Sequence, residues 1–191
     1  MSSTKTENST PMKTFQILAI SGSLRSRSSN LSLLKAAQQL APENFQISFY
    51  GGLSQLPHFN PDCDTETPPV AVADLRAWLR ASDGVIICTP EYAHGLPGTL
   101  KNALDWTVSS GEWMEKPVLI LNASPVSHFA HDSLVEILTT IMARTISHRI
   151  GLSGNKMDEL AMLDNTEITS KLIESLGELE TALVVPELVE I

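Results

Sequence analysis

The sequence predicts a three-layer α/β domain in which helices cover both faces of a mainly parallel sheet. Short apolar runs alternate with segments whose apolar residues recur at helical spacing. This alternation is typical of right-handed βαβ crossovers, which place each strand parallel to the last. The length of 191 residues, with 42% hydrophobic and 18% charged residues, fits one packed domain.

Five strands and five helices are expected. The strands are predicted at residues 15–20, 45–50, 85–88 and 117–121, with a weaker fifth one near 145–150. The second strand alternates apolar and polar residues, so we expect it at an edge of the sheet. Apolar stripes predict helices at residues 31–40, 72–79, 100–108, 134–141 and 168–184. Residues 51–69 contain four prolines and are predicted to form a long loop.

The N-terminus and the cysteines indicate a cytoplasmic protein. Residues 1–13 lack the apolar centre of a secretory signal and are expected to form a flexible tail, with the domain spanning 14–191. Cys63 and Cys88 are too few for a disulfide framework. Because Cys88 ends an apolar run, we expect it to be a small buried hydrophobe.

Two classes of partner are not expected. No apolar stretch approaches the roughly 18 residues that cross a bilayer, which argues against a membrane partner. The chain has 13 basic and 22 acidic residues and a net charge of −9. Proteins that neutralise nucleic-acid phosphates need the opposite balance, so no nucleic-acid partner is expected.

The predicted ligand site lies in the loops beyond the carboxyl ends of the strands, at residues 21–30, 89–98 and 122–131. The first loop is almost entirely polar and leads straight into a helix. Free backbone N–H groups, serine hydroxyls and Arg25 suit an anion, most naturally a terminal phosphate. The loop lacks the glycine patterns of dinucleotide-binding and ATP-binding sites. A plain helix cap by Ser29 or Asn30, with solvated arginines, is the alternative.

The second loop is suited to a planar ring with polar edges. Two prolines and two glycines fix its backbone, and Tyr92 offers an aromatic face beside backbone donors. His94 is the one histidine of this loop and a candidate acid or base. A surface or packed histidine is the simpler interpretation.

Together the two loops resemble the NAD(P)H-dependent FMN reductases, a family that includes quinone, azo-dye and chromate reductases. The resemblance covers about residues 15–183 and depends on two blocks. The first is Gly22-Ser23-Leu24-Arg25 followed by Ser28 and Asn30. The second is Pro90-Glu91-Tyr92 followed by Pro97-Gly98, Leu100-Lys101-Asn102-Ala103 and Asp105-Trp106.

The resemblance implies a flavodoxin-like domain whose five-stranded parallel sheet has the order 2-1-3-4-5. It also implies an FMN cofactor, with its phosphate among Ser23, Arg25, Ser28 and Asn30 and its flavin ring beside Pro90, Glu91 and Tyr92. The expected cofactor site is completed by Ser21, Leu24, Ala93, His94 and Gly95. Backbone N–H groups of residues 90–95 are candidate donors to the negative charge of reduced flavin. Scaffold roles are expected for Lys101, Asn102, Asp105 and Trp106.

Two departures from the family pattern concern the flavin ring and its substrates. Residues 93–95 are Ala, His and Gly where many relatives have Asn, a variable residue and Ser or Gly, so one side-chain contact near flavin is expected to be missing. The third loop lacks the glycines that are frequent there. We carry Ser124 over as a cofactor ligand and expect Phe129 or His128 to narrow the substrate space.

Other chemistries lack a residue that they need. His128 and His131 have no third metal ligand nearby, and the first loop lacks the Gly-x-Ser-x-Gly elbow of a serine hydrolase. Neither cysteine is followed by the arginine, six positions on, of a cysteine phosphatase. The chemistry is therefore assigned to the cofactor, with no catalytic side chain and no metal.

The predicted function is hydride transfer from NADPH or NADH to FMN, followed by electron transfer to a small acceptor: a quinone, azo compound, metal oxyanion or free flavin. Both substrates are expected to use one ring face in turn, in a ping-pong scheme. A homodimer or homotetramer is expected, with Trp106, Trp113 and the third helix burying apolar surface against a second copy. Two alternatives stay open: a non-enzymatic FMN-binding electron carrier or redox sensor, and an interaction module with a vestigial phosphate loop.

Overall fold

Five strands form one parallel sheet in the computed structural model, which describes residues 13–152 and 157–185. They are β1 (Phe15–Ser21), β2 (Phe45–Phe49), β3 (Gly84–Cys88), β4 (Pro117–Asn122) and β5 (Arg144–Arg149). Their order, β2-β1-β3-β4-β5, confirms the predicted flavodoxin-like topology. The strand β2 lies at an edge, as its alternating pattern predicted. Most of the predicted flexible tail, residues 1–12, lies outside the described residues.

Six α-helices pack around this sheet within the described ranges. They are α1 (Ser29–Gln39), α2 (Val70–Ala81), α3 (Gly98–Asp105), α4 (Phe129–Thr140), α5 (Glu159–Leu163) and α6 (Thr166–Val184). In this part of the chain, no helix combines the length and the apolar composition that crossing a bilayer requires.

The sheet separates two apolar cores. Side chains alternate along each strand, so Ile17 and Ala19 pack on the side of α1, α5 and α6, while Leu18 and Ile20 pack on the side of α2, α3 and α4. The strand β3 is buried on both faces along its whole length. This burial explains why β3 appears in the sequence as a continuous apolar run.

The long loop at residues 51–69 is fastened to the α3 region by Asn102 and Trp106, two of the four predicted scaffold residues. It contains two short 3₁₀ turns, Leu53–Gln55 and Pro61–Cys63. Asn102 Nδ2 and Trp106 Nε1 both donate to the Pro57 carbonyl, at 2.9 and 2.8 Å. On the exposed side of α3, Lys101 Nζ lies 2.5 Å from Asp105 Oδ1. The scaffold interpretation of these four residues is confirmed.

Three sequence-based expectations need correction. The short helix α5 was not predicted, because five residues are too few to show an apolar period. Val108 lies beyond the end of α3 and is 58% exposed, so it does not belong to the buried stripe. Trp106 and Trp113 are 0% and 2% exposed within this chain's own core. They therefore offer no apolar surface to a second copy, and that argument for an oligomer was wrong.

Candidate functional site

Three loops meet at the carboxyl edge of the sheet: loop 1 (residues 22–28), loop 2 (89–97) and loop 3 (123–128). They follow β1, β3 and β4, which are adjacent and parallel. The strand order reverses between β1 and β3, and α1 and α3 lie on opposite faces there. Open α/β sheets bind ligands at this position. A groove of about 430 Å³ lies here, within the size range of small-molecule sites.

Four of the predicted cofactor residues line this groove. They are Asn30, Pro90, Glu91 and Ser124. The other predicted residues belong to the same region but do not line the groove: Ser21, Ser23, Leu24, Arg25, Ser28, Tyr92, Ala93, His94 and Gly95. The other lining residues were not singled out as ligands, although all but Leu152 belong to the three predicted loops: Ser29, Thr89, Ala123, Pro125, Val126, Ser127 and Leu152. Thr89 had a detectable signal, since it is the first polar residue after a buried strand, whereas Leu152 reaches the groove from beyond β5.

Loops 1 and 2 touch at Gly22. Its N–H donates to the Cys88 carbonyl at 2.9 Å. A Cβ added at Gly22 would lie 2.2 Å from Thr89 Oγ1 and 2.7 Å from Thr89 Cβ. No larger residue fits at position 22 without moving one of the loops. The close approach of loop 1 to loop 2 therefore requires a glycine here.

Loop 1 leads to a helix start that is open to an anion. The N-cap Ser28 has extended backbone angles and makes no side-chain cap hydrogen bond, and the first turn of α1 contains no acidic residue. The first backbone N–H groups of α1 are therefore not satisfied by a cap, and the positive end of the helix dipole is not neutralised by a carboxylate. This geometry fits the predicted phosphate site, and it differs from the alternative of a helix capped by Ser29 or Asn30.

Asn30 connects α1 to the buried end of β3. It is 9% exposed, its Nδ2 donates to Ser28 Oγ at 3.5 Å, and its Oδ1 accepts from Cys88 Sγ at 3.2 Å. Cys88 is fully buried, and this burial raises the pKa of its thiol to about 12. The expectation that Cys88 is a buried hydrophobe is confirmed, and a thiol that stays protonated is a poor nucleophile.

Both arginines of loop 1 are exposed. The Arg25 N–H donates to Ser23 Oγ at 3.3 Å, and within the described residues neither the Arg25 nor the Arg27 guanidinium forms an ion pair. Two charged groups are therefore available next to the open start of α1. The assignment of Arg25 as the phosphate ligand stays a prediction.

Loop 2 ends in a tight turn with an unusual backbone. Tyr92 and Gly95 exchange two backbone hydrogen bonds of 3.0 Å each. Between them Ala93 and His94 both have positive φ angles, 49° and 58°, as in a type I′ turn. The N–H of Gly95 is engaged within the turn. Within residues 90–95, where the donors to reduced flavin were predicted, the Ala93 and His94 N–H groups donate to no other backbone group in the described part of the chain.

Glu91 connects loop 2 to the start of α4. Its Oε2 accepts a hydrogen bond of 3.0 Å from the backbone N–H of Ala130, in the first turn of that helix. The N-cap residue of α4, His128, supplies no side-chain cap. Glu91 therefore acts as a cap supplied from another loop, and its negative charge lies where the helix dipole favours it.

Loop 3 is held together by two polar side chains instead of glycines. Asn122 Oδ1 accepts from the Ser124 N–H at 2.9 Å, and Asn122 Nδ2 donates to the Ser127 carbonyl at 2.7 Å. Ser124 Oγ accepts from the N–H groups of Val126 and Ser127, at 3.3 and 3.1 Å. These four bonds fix the loop and leave the Ser124 O–H hydrogen available to an acceptor in the groove.

The two histidines near loop 3 face different surroundings. His128 is exposed and packs against Phe129, with ring centroids 4.1 Å apart. His131 is 8% exposed, and its Nε2 lies 2.5 Å from Ser147 Oγ on β5. Burial and the nearby Arg149 lower the pKa of His131 from its usual 6.5, against a smaller opposing effect of Asp132. No group of three potential metal ligands occurs among residues 13–152 and 157–185.

Comparisons with known proteins agree with this geometry. A family model described as NADPH-dependent FMN reductase matches residues 15–157. A quinone reductase of Pseudomonas putida is 32% identical over 131 residues, covering 63% of this chain and 70% of the relative. An NAD(P)H-dependent FMN reductase of Pseudomonas aeruginosa is 40% identical over 111 residues, covering 57% of this chain and 60% of the relative.

Solved structures agree as well. The flavoenzyme NAD(P)H:(acceptor) oxidoreductase of Paracoccus denitrificans superposes with a TM-score of 0.67 at 26% identity, over 89% of this chain and 96% of that one. The chain therefore belongs to the NADPH-dependent FMN reductase family, and it is an oxidoreductase with FMN as cofactor and NAD(P)H as electron donor.

Proposed function

We propose that this protein transfers two electrons from NAD(P)H to a small quinone, and that both substrates use one site in turn. The observation that supports this is the groove at the reversal of strand order, which is lined by the open start of α1 and by Thr89, Pro90 and Glu91, directly before the rigid turn of loop 2. Bound FMN supplies a ring that accepts a hydride and returns its electrons to an acceptor. The quinone is proposed because the relative in Pseudomonas putida is named as a quinone reductase.

Residues of loop 1 and α1 are proposed to bind the phosphate. The uncapped N–H groups at the start of α1 and the hydroxyls of Ser23 and Ser28 are donors, and no carboxylate lies in the first helical turn to repel an anion. Arg25 adds a permanent positive charge that can form two parallel hydrogen bonds to phosphate oxygens. Ser124, across the groove, offers its O–H as a further donor.

Loop 2 is proposed to orient the flavin ring. The Tyr92 side chain is 53% exposed and offers an aromatic face. The Ala93 and His94 N–H groups, held in place by the bonds between Tyr92 and Gly95, are donors toward negative charge that develops on a reduced ring. Hydride transfer between two bound rings needs no protein acid or base, and Glu91, whose carboxylate caps α4, lines the groove.

The decisive experiment follows absorbance under anaerobic conditions. Protein loaded with one FMN per chain should lose its flavin absorbance when NADPH is added and regain it when 1,4-benzoquinone follows. Initial velocities measured against both substrates should give parallel double-reciprocal lines, because one site serves both in turn. Bleaching without reoxidation by the quinone would favour an electron carrier or sensor, and intersecting lines would contradict the shared site.

We also propose a homodimer or homotetramer. The argument now uses exposed apolar side chains of the three site loops: Leu24 is 57%, Tyr92 53% and Val126 82% exposed. Apolar residues grouped on one surface are typical of a contact with another chain. Light scattering should give at least twice the monomer mass of 20.8 kDa. A monomer at micromolar concentration with FMN present would contradict the proposal.

A further inference from the structure

A small cavity adjoins the groove between loop 2, loop 3 and α4. Its volume is about 10 Å³, which is room for one water molecule. Thr89, Glu91 and Ser127 line both spaces, so the cavity and the groove share a wall. A buried water typically makes about three hydrogen bonds. The cavity has enough polar lining residues to supply them: Thr89, Glu91, Asn122, Ser127 and His131. We call this space the inner cavity.

His131 connects the inner cavity to the outer side of β5. Its side chain is buried, and its Nε2 lies 2.5 Å from the Oγ of Ser147, an exposed residue of that strand. Its other ring nitrogen, Nδ1, forms no hydrogen bond within the described part of the chain. An imidazole can take up a proton at one nitrogen and release one from the other. Ser147, His131 and a water in the inner cavity therefore make a continuous polar path from solvent to the groove.

Charged groups lie on both sides of His131. On the solvent side, Arg149 of β5 and Asp132 of α4 pair at 3.6 Å, and both are more than half exposed. On the groove side, Glu91 of loop 2 lines the inner cavity. Burial and Arg149 hold the pKa of His131 below its usual 6.5, against a smaller opposing effect of Asp132. An imidazolium with a lowered pKa releases its proton more readily, which suits a proton donor.

The proposed reaction consumes one proton that comes from neither substrate. Its sum is NAD(P)H + H⁺ + quinone → NAD(P)⁺ + hydroquinone. The hydride from NAD(P)H carries both electrons and one of the two hydrogens that the hydroquinone gains. The second hydrogen arrives as a proton. A quinone bound in the groove displaces water from it, so a proton source in the groove wall serves this step.

We infer that His131 supplies the second proton of quinone reduction, through one water held in the inner cavity. The inference rests on the proposed quinone reductase function. His131 lines the inner cavity but not the groove, so it acts through the water and the shared wall rather than by touching the quinone. The proton that it gives up is replaced from solvent by way of Ser147 Oγ.

The test measures the second half of the reaction alone, between about pH 5.5 and 8. FMN-loaded protein is reduced with one equivalent of NADPH without oxygen and is then mixed rapidly with 1,4-benzoquinone. In the wild type, the rate of flavin reoxidation should rise as the pH falls. His131→Gln keeps a hydrogen-bonding side chain but cannot be protonated in this range. Its rate at low pH should be lower by roughly a hundredfold, the lower end of the range for general acid catalysis, and its dependence on pH should disappear.

His148→Gln is the matched control. His148 is the residue after Ser147 on β5 but faces the other side of the sheet, where its Nε2 lies 3.0 Å from Glu178 Oε2 of α6. This variant should keep the wild-type rate and the wild-type dependence on pH. A substitution at His131 that only loosened the fold would slow reoxidation equally at every pH and would leave the dependence on pH in place. That outcome would overturn the inference.

Nuclear magnetic resonance of the FMN-free protein gives a readout that does not depend on activity. The His131 ring should titrate with the same pKa as the reoxidation rate of the wild type, and its ring protons should show a cross-peak to a long-lived bound water. Two different pKa values, or no bound water beside His131, would overturn the inference and leave the proposed function intact. A wild type that does not reduce 1,4-benzoquinone at any pH would defeat the proposed function itself.

Discussion

Replacing Gly22 by alanine tests whether loops 1 and 2 approach as closely as the structure shows. The added Cβ would lie 2.2 Å from Thr89 Oγ1, 2.7 Å from Thr89 Cβ and 3.1 Å from Leu100 Cδ2. Rotation of Thr89 about χ1 can relieve the contact with Oγ1, but not the contact with Cβ, which moves only with the backbone. The two loops must therefore separate.

Overpacking of this kind destabilises proteins by about 1–3 kcal/mol. For a protein of this length, each kcal/mol lowers the melting temperature by about 2–4 °C, so Gly22→Ala should melt roughly 2–12 °C below wild type. Thr89 also lines the groove. If about 1.4 kcal/mol of the strain appears in the FMN-bound form alone, the Kd for FMN rises about tenfold.

The assay is thermal unfolding of the FMN-free protein, followed by fluorescence titration with FMN. Gly98→Ala is the matched control, because a Cβ at Gly98 meets nothing within 4 Å. Its melting temperature and FMN affinity should stay near wild type. If Gly22→Ala behaves like Gly98→Ala in both measurements, the close approach of the loops is wrong.

Three further predictions concern single side chains. Arg25→Ala should weaken FMN binding by about 1.5–3 kcal/mol, the range for hydrogen bonds to charged groups, and should leave riboflavin affinity unchanged. Titration with FMN should show a smaller effect for Arg27→Ala. Equal effects of the two substitutions would refute the assignment of Arg25 as the phosphate ligand. In urea unfolding of the FMN-free protein, Glu91→Ala should lower the unfolding free energy by about 1 kcal/mol, because the cap of α4 disappears. Glu91→Gln should lower it less. Equal unfolding midpoints for the wild type and both variants would contradict this. His131 binds its proton less readily when folded, so its contribution to stability is full above about pH 6.5 and is lost as the pH falls toward its folded pKa. The difference in unfolding free energy between wild type and His131→Gln should therefore shrink between about pH 7.5 and 5.5, and a constant difference would count against the buried neutral imidazole.

The parts of the fold that could be predicted are those in which burial determines residue type. The strand β3 is buried on both faces, so every residue from Gly84 to Cys88 is small or apolar, and the pattern located it to within one residue. The strand β5 lies at an edge and is mostly half-exposed, so it tolerates a charged residue, and Arg149, with Gly151 just beyond the strand, weakened the prediction. An apolar stripe does not reveal what it packs against, which is why Trp106 and Trp113 were wrongly assigned to a contact between copies.

The site could be predicted as far as its loops and motif residues, but not as far as the contacts between loops. Glu91 and Ala130 are 39 positions apart, and His94 and Phe129 are 35 apart, so no local pattern relates them. The organisation of loop 3 by Asn122 was also hidden. An asparagine at a strand end predicts a turn, but the two backbone groups that it binds depend on the path of the loop.

These contacts between loops give the motif residues two separable roles. Gly22 holds loop 1 against loop 2, and Glu91 holds loop 2 against α4, and both contacts exist before any ligand binds. The Arg25 guanidinium forms no ion pair within the described residues, and its proposed role is a contact with the bound phosphate. A substitution that breaks a contact between loops, as at Gly22 or Glu91, must lower the stability of the FMN-free protein. A substitution that removes only a ligand contact must lower FMN affinity alone. The unfolding free energy of the FMN-free variants therefore distinguishes residues that build the groove from residues that bind within it.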